Sequence, residues 1–297
     1  MKKNLFILVI LFNVSIFAQT QPTRLVTIST EPKAIIWVND VRLGTTDDSG
    51  NLKVRVGKGT SVVRVRANSF KETTQNLSPT ANSINIPLVK TTDQAELMFH
   101  KAEWSSSPEK AVEFYEEAIK LRPKYPEALL ALARTLNAMD DSESALEAIA
   151  KARKIKAIFP EASTVEGRIY KESGEEAKAI ASFKRAIKEG NGTQAEAHKE
   201  LGLIYRDKAE GAANDGNFDA ETANYQLAVG ELKIALNQYY GNDSTLYEFL
   251  GVSYEKLKKY REAITVYEEF LKNFPNSNEA TTFRSYITQL KKQMAEQ

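Results

Sequence analysis

Ala111-Val112-Glu113-Phe114-Tyr115-Glu116-Glu117-Ala118, Ala145-Leu146-Glu147-Ala148-Ile149-Ala150-Lys151-Ala152 and Ala179-Ile180-Ala181-Ser182-Phe183-Lys184-Arg185-Ala186 follow one another at an interval of 34 residues. In each, a small residue opens the run, a large one comes four positions later, and an alanine closes it three further on. Spacings of three and four place these positions on one face of an α-helix. Small residues let a second helix approach, and the large neighbours fill the space beside the contact. The pattern returns at Ala228, Leu232 and Ala235, and again at Ala263, Tyr267 and Phe270. A second series marks the partner helix of each pair: Leu132-Ala133 with Leu136, Gly167 with Tyr170, Leu201-Gly202 with Tyr205, Leu250-Gly251 with Tyr254. Self-similarity at this period is the mark of stacked helical hairpins, each burying its apolar face against the next.

These positions resemble those of the tetratricopeptide repeat, whose first helix carries Leu-Gly and Tyr and whose units often close on Pro, as at Pro123 and Pro275. Gly190-Asn191-Gly192 stops the third unit instead. The expected units are about five, at 92–125, 126–159, 160–193, 195–243 and 244–277, with 278–295 as a C-terminal capping helix. Arg284, Lys291, Lys292 and Gln293 give that helix the polar outer face a terminal unit needs. The fourth unit departs from the pattern: 22 residues separate Tyr205 from Ala228 where an unmodified unit has eight, a surplus of fourteen near 209–222. Its Gly, Ala, Asn and Asp content predicts a flexible loop, with a pair of lengthened helix ends as the alternative.

Upstream, from Leu25 to about Leu88, the period falls to two and Val, Ile and Thr dominate. Strands are predicted at 26–29, 35–38, 52–56, 62–66 and 83–86, separated by Asn39-Asp40, Asp47-Asp48-Ser49-Gly50-Asn51 and Gly57-Lys58-Gly59, which tolerate the backbone of reversals. The order of Pro32 and Ala34, Val38-Asn39-Asp40, Gly44-Thr45-Thr46, Gly57 and Ser69-Phe70 resembles the PEGA family of small bacterial sandwiches. Thr46 stands where that family has Pro, and Ser69-Phe70 where it has Gly-Tyr. The fold class is therefore α+β multidomain: a small all-β sandwich over 25–88, then an all-α solenoid of tetratricopeptide repeats over 92–277.

Lys2-Lys3, the apolar run from Leu5 to Phe17 and the small Ala18 read as a signal peptide over 1–18, with the mature chain from Gln19. Ile16 is bulky for its place before the cut. The apolar run is shorter than the ~20 residues a spanning helix needs, and no later segment of the mature chain is a transmembrane candidate. The chain has no cysteine, so it has neither disulfides nor a thiol for attached lipid. An exported bacterial protein, periplasmic, envelope-associated or secreted but not a lipoprotein, is expected.

Forty basic and thirty-nine acidic residues leave a formal charge of +1, which gives no global field for nucleic acid. Motifs for catalysis are missing as well. There is no His-Glu-x-x-His, no Gly-x-Ser-x-Gly and no Cys/His pair. Gly57-Lys58-Gly59-Thr60 precedes a strand, so it reads as a turn and not a phosphate loop. The Asp47 and Asn214 segments lack the distant bidentate Glu of a calcium hand. His198 falls on a core position and is expected to be packed and hydrogen-bonded. No catalytic residue, metal or cofactor is assigned, and an enzyme is not expected.

Tetratricopeptide arrays bind proteins along the concave face of their first helices. The resemblance then places His100, Arg134, Asn137, Arg168, Lys171, Lys199 and Arg206 on that face, a basic strip suited to an acidic peptide. Glu96 and His100 stand where the subgroup that clamps C-terminal carboxylates needs Lys and Asn, so that clamp is absent. In the sandwich, Lys53 and Arg55 alternate with Leu52, Val54 and Val56, and Arg64 and Arg66 alternate with Val63 and Val65. If the two runs form a hairpin, the four cations share an outward face. The expected function is a scaffold binding a partner protein through its repeats. The alternative is a cell-envelope or glycan-binding protein acting through that basic sandwich face.

Overall fold

The structure, a computed structural model, describes residues 22–296. The expected signal peptide lies outside them. Seven strands come first: β1 (Thr23–Ser29), β2 (Ile35–Val38), β3 (Val41–Thr45), β4 (Asn51–Gly57), β5 (Ser61–Arg66), β6 (Thr73–Leu77) and β7 (Ser83–Asn85). They form two sheets, ordered β4-β1-β7 and β3-β2-β5-β6. Val26, Ile28, Val54 and Val56 from one sheet and Ile36, Val38, Val63 and Val65 from the other are buried in one core. Each such side chain contributes roughly 1.5–3 kcal/mol by leaving water. Asn39 and Asp40, at φ 49° and 64°, make the two-residue turn from β2 to β3. Both angles are positive, as the tight hairpin turn demands and as Asn and Asp tolerate.

One expectation is corrected here. β4 and β5 do not pair as a hairpin, because β4 pairs with β1, and β5 lies between β2 and β6 in the facing sheet. Both strands carry an apolar face, and placing them in opposite sheets buries both faces against each other.

Eleven helices follow: α1 (Gln94–Glu103), α2 (Pro108–Leu121), α3 (Pro126–Ala138), α4 (Ser142–Ile155), α5 (Pro160–Glu172), α6 (Glu176–Glu189), α7 (Ala195–Asn214), α8 (Phe218–Gln238), α9 (Thr245–Lys256), α10 (Tyr260–Asn273) and α11 (Ala280–Ala295). Proline opens α2, α3 and α5, where its missing N–H is one that no helical carbonyl would have accepted. The turns within the second to fifth hairpins each use a residue at positive φ: Asp140, Gly174, Gly216 and Lys258. The helices pack as antiparallel pairs, with the small residue of one under the large residue of the other. A methyl group on Gly167 would stand 2.6 Å from the Phe183 ring, and one on Gly251 would overlap the Tyr267 ring.

The surplus in the fourth unit is helix, not a loop. α5 and α6 have 13 and 14 residues, whereas α7 and α8 have 20 and 21. Each is lengthened by seven residues, two turns or about 10 Å. Gly202 still meets Leu232, so the packing face keeps its register across the insertion. Buried Ala209 and Tyr225 carry the contact outward, and the Asn217 side chain caps α8.

The sandwich is fastened to both ends of the array. Arg66 bonds Glu103 of α1 at 3.0 Å and lies over Phe99, while the Ser69 N–H donates to His100 Nδ1 at 3.1 Å. On the far side, Tyr240 packs against the sandwich core and its hydroxyl accepts from Asn39 at 2.7 Å. Asn242 and Asn273 bond Arg55 of β4.

Candidate protein-binding surface

The first helices of successive pairs, α3, α5, α7 and α9, run side by side, and repeat register sets the same positions of each on the inner face. Their charges are mostly satisfied by each other. Arg168 of α5 pairs with Glu196 of α7 at 2.9 Å, and Lys171 pairs with Glu200 at 2.8 Å. Lys199 bonds Asp243 at 2.7 Å, and Arg206 lies over Phe249 with Asp207 and Glu210 beside it. Asn137 donates to Glu172. The expected basic strip is therefore largely neutralised: Arg168 and Lys171 meet acids of the next first helix and Lys199 meets one in the loop before α9, a ladder of ion pairs, while Arg206 meets acids of its own helix. Glu200 thus belongs to the ladder, while Glu166 is held by Arg185.

Arg134 stands apart. No carboxylate pairs with it among the described residues. Burial holds its guanidinium below the ordinary arginine range, with Glu196 and Glu161 pulling upward and Arg168 and Arg42 pushing further down. By surface area the side chain is exposed, so the neighbouring protein that lowers its pKa does not keep water from it. Arg42, on the sandwich strand β3, is exposed and also has no acid partner among the described residues. Sequence reasoning passed over Arg42 because β3 carries little apolar alternation.

His100 is corrected from groove contact to buried junction residue. It is 2 % exposed, accepts from Ser69, and packs tilted against Phe99 and edge-on to Trp104. Burial and then Arg66 lower its pKa below the ordinary value. His198 is buried, bonded to Glu231 at 2.6 Å and to the Gly192 carbonyl.

The four sandwich cations do not share one face. Lys53 is exposed on β4. Arg55 of the same strand turns to the helices, lying over Phe274 and bonding the Asn273 carbonyl. Arg64 and Arg66, in the other sheet, stack on Trp37 and bond Glu72. Between β1, β4, α8 and α10 lies a cleft of about 940 Å³ lined by Arg24, Leu25, Lys58, Asn237, Thr265 and Lys272 among others. Among the described residues no cluster of His, Asp or Glu is placed to hold a metal, and no helix is long and apolar enough to cross a membrane.

A sandwich followed by paired helices with small-under-large packing defines a tetratricopeptide-type array. Residues 105–169, 161–189 and 250–277 each match a family model described as tetratricopeptide repeat, so the helical part carries these repeats. A curated relative, anaphase-promoting complex subunit 3 of Schizosaccharomyces pombe, is 26% identical over 156 residues, 52% of this chain and 21% of that protein. The chain thus spans about a fifth of that relative's length. Among solved structures, the MamA protein is 20% identical, covering 64% of this chain and 96% of its own, at a TM-score of 0.45. A thermophilic repeat protein of Thermus thermophilus is 23% identical, covering 61% and 91%, at a TM-score of 0.42.

Proposed function

We propose that this chain is an exported, non-catalytic scaffold that holds an acidic segment of a partner protein against the inner face of its repeats. Arg134 carries the reading: an arginine in no direct ion pair, on the inner face, which feels the charges of Arg168 and Arg42 as well as those of Glu196 and Glu161. A partly desolvated cation is attracted to carboxylates more strongly than an exposed one. The ladder through Arg168, Lys171 and Lys199 then serves as rigid support, and a partner carboxylate supplies what Arg134 lacks. The PEGA-like sandwich is the second wall of this site, since it contributes Arg42.

A photocrosslinking residue at position 138, one turn beyond Arg134, tests the reading in intact cells. An adduct that hexaglutamate peptide displaces, and that Arg134→Glu with Arg42→Glu abolishes, supports it. An adduct untouched by the double variant places the partner elsewhere. N-terminal sequencing of the exported fraction, with Gln19 as the expected first residue, tests export separately.

A further inference from the structure

Lys120, Lys154 and Lys188 occupy one repeat position in the last turns of α2, α4 and α6. Lysines there complement the helix dipoles, so the series alone points to no ligand. The side chains beside them do. Residues 154–158 are all exposed, Ile158 at 68 %, with Ile155 and Leu121 also open to solvent. The repeat does not require an isoleucine at 158, since the equivalent positions hold Lys124 and Gly192.

Nor is Ile158 free to fold back. The Lys156 N–H donates to the Ala152 carbonyl at 2.9 Å, Arg153 donates to the Ala157 carbonyl at 3.0 Å, and Phe159 is buried behind the loop. Of the carboxylates nearby in sequence, Glu117 pairs with Lys120, Glu147 with Lys151 and Glu189 with Arg153, while half-buried Glu161 has no ion pair among the described residues. Glu127, at the start of α3, is exposed. Lys124, Lys154 and Lys188 have no acid partner among the described residues.

We propose that this edge of the first three repeats docks on an anionic lipid surface, with Lys124, Lys154 and Lys188 at the headgroup phosphates and Leu121, Ile155 and Ile158 at the acyl boundary. Protein interfaces favour aromatic residues, Met and Arg and are depleted in Lys. This patch is the reverse, lysine with aliphatic side chains, the chemistry of peripheral membrane contact. It involves neither Arg134 nor Arg42, so it stands or falls apart from the partner site.

Co-sedimentation of the mature chain with phosphatidylglycerol vesicles and with phosphatidylcholine vesicles tests the proposal. Binding to the first at low salt, absent from the second and lost at high salt, is expected. Ile155→Glu with Ile158→Glu, and separately Lys154→Glu with Lys188→Glu, should each weaken it at least about tenfold while leaving the helical circular dichroism and melting temperature near wild type. Absence of vesicle binding overturns the proposal. So does binding that either well-folded pair leaves unchanged, and so does retention on immobilised polyglutamate without vesicle binding, which assigns the patch to an acidic protein.

Discussion

Asn242 meets the peptide of Arg55 on both sides: its Oδ1 accepts from the Arg55 N–H at 3.0 Å and its Nδ2 donates to the Arg55 carbonyl at 2.9 Å. A single carboxamide thus takes the place of a neighbouring strand along β4, an edge of its sheet. Unpaired edges invite pairing with other chains, and here the helical array covers this one. Asn242→Ala should cost about 1–2 kcal/mol and raise hydrogen exchange at the Arg55 amide. Combined with Tyr240→Ala it should release the sandwich from the array, read as an increased radius of gyration in solution scattering. An unchanged radius would show that the α1 contacts, with those of Arg55 to Asn273 and Phe274, suffice to hold the two parts together.

Two glycines in helices predict opposite outcomes. Gly251 has the Tyr267 ring where a methyl would go, so Gly251→Ala should destabilise by about 2 kcal/mol or more through overpacking. Gly211 of α7 has open space around it, and Gly211→Ala should stabilise by roughly 0.5–1 kcal/mol through helix propensity. Chemical denaturation of the two variants measures both signs.

Between repeats two and three, Arg153, Arg185, Glu166, Glu189 and the fully buried Ser163 form one bonded network. Glu189→Ala leaves Arg153 without its closest acid, so the expected loss is about 2–4 kcal/mol. Pairing Glu189→Ala with Arg153→Met should recover part of it. A double variant as unstable as the single would place the cost in lost packing and not in charge.

His100 gives the junction a pH dependence. Its folded-state pKa lies below the ordinary 6.5, from burial first and Arg66 second, against the pull of Glu96 and Glu72. The unfolded chain therefore takes up protons before the folded one does. The stability that neutral His100 gives is present above 6.5 and is lost as pH falls from there through the folded pKa. Melting temperature should drop more steeply between about pH 7 and 5 in the wild type than in His100→Gln, which keeps an acceptor for Ser69.

The repeat positions were legible because packing writes itself locally: Gly167, Gly202 and Gly251 sit where their helix partners bring Phe183, Leu232 and Tyr267. Strands β1, β2, β4 and β5 were legible from buried valines and isoleucines. β3 and β6 were not, since both lie at the edges of their sheet and carry exposed or polar residues such as Arg42, Thr74, Gln75 and Asn76. The cations of the inner face were found, but of their partners only Glu200 was. Lys199 meets Asp243 across a longer stretch than any local pattern covers, and only the stacked geometry shows that the charge is already balanced. Tyr240 and Asn242 gave no sign of their docking role, because in sequence they are simply a turn.

The fourteen extra residues of α7 and α8 are divided evenly, two turns to each helix. Seven residues bring a helix back to nearly the same rotational phase, so everything beyond the insertion keeps its orientation. Length changes in such arrays should then be tolerated in matched whole-turn steps. An unequal or fractional change would rotate Leu232 off Gly202 and misalign every later repeat. The hairpin between 209 and 222 can in this sense vary in reach among descendants without renegotiating its neighbours, a growth point built into a stack that elsewhere has a fixed pitch.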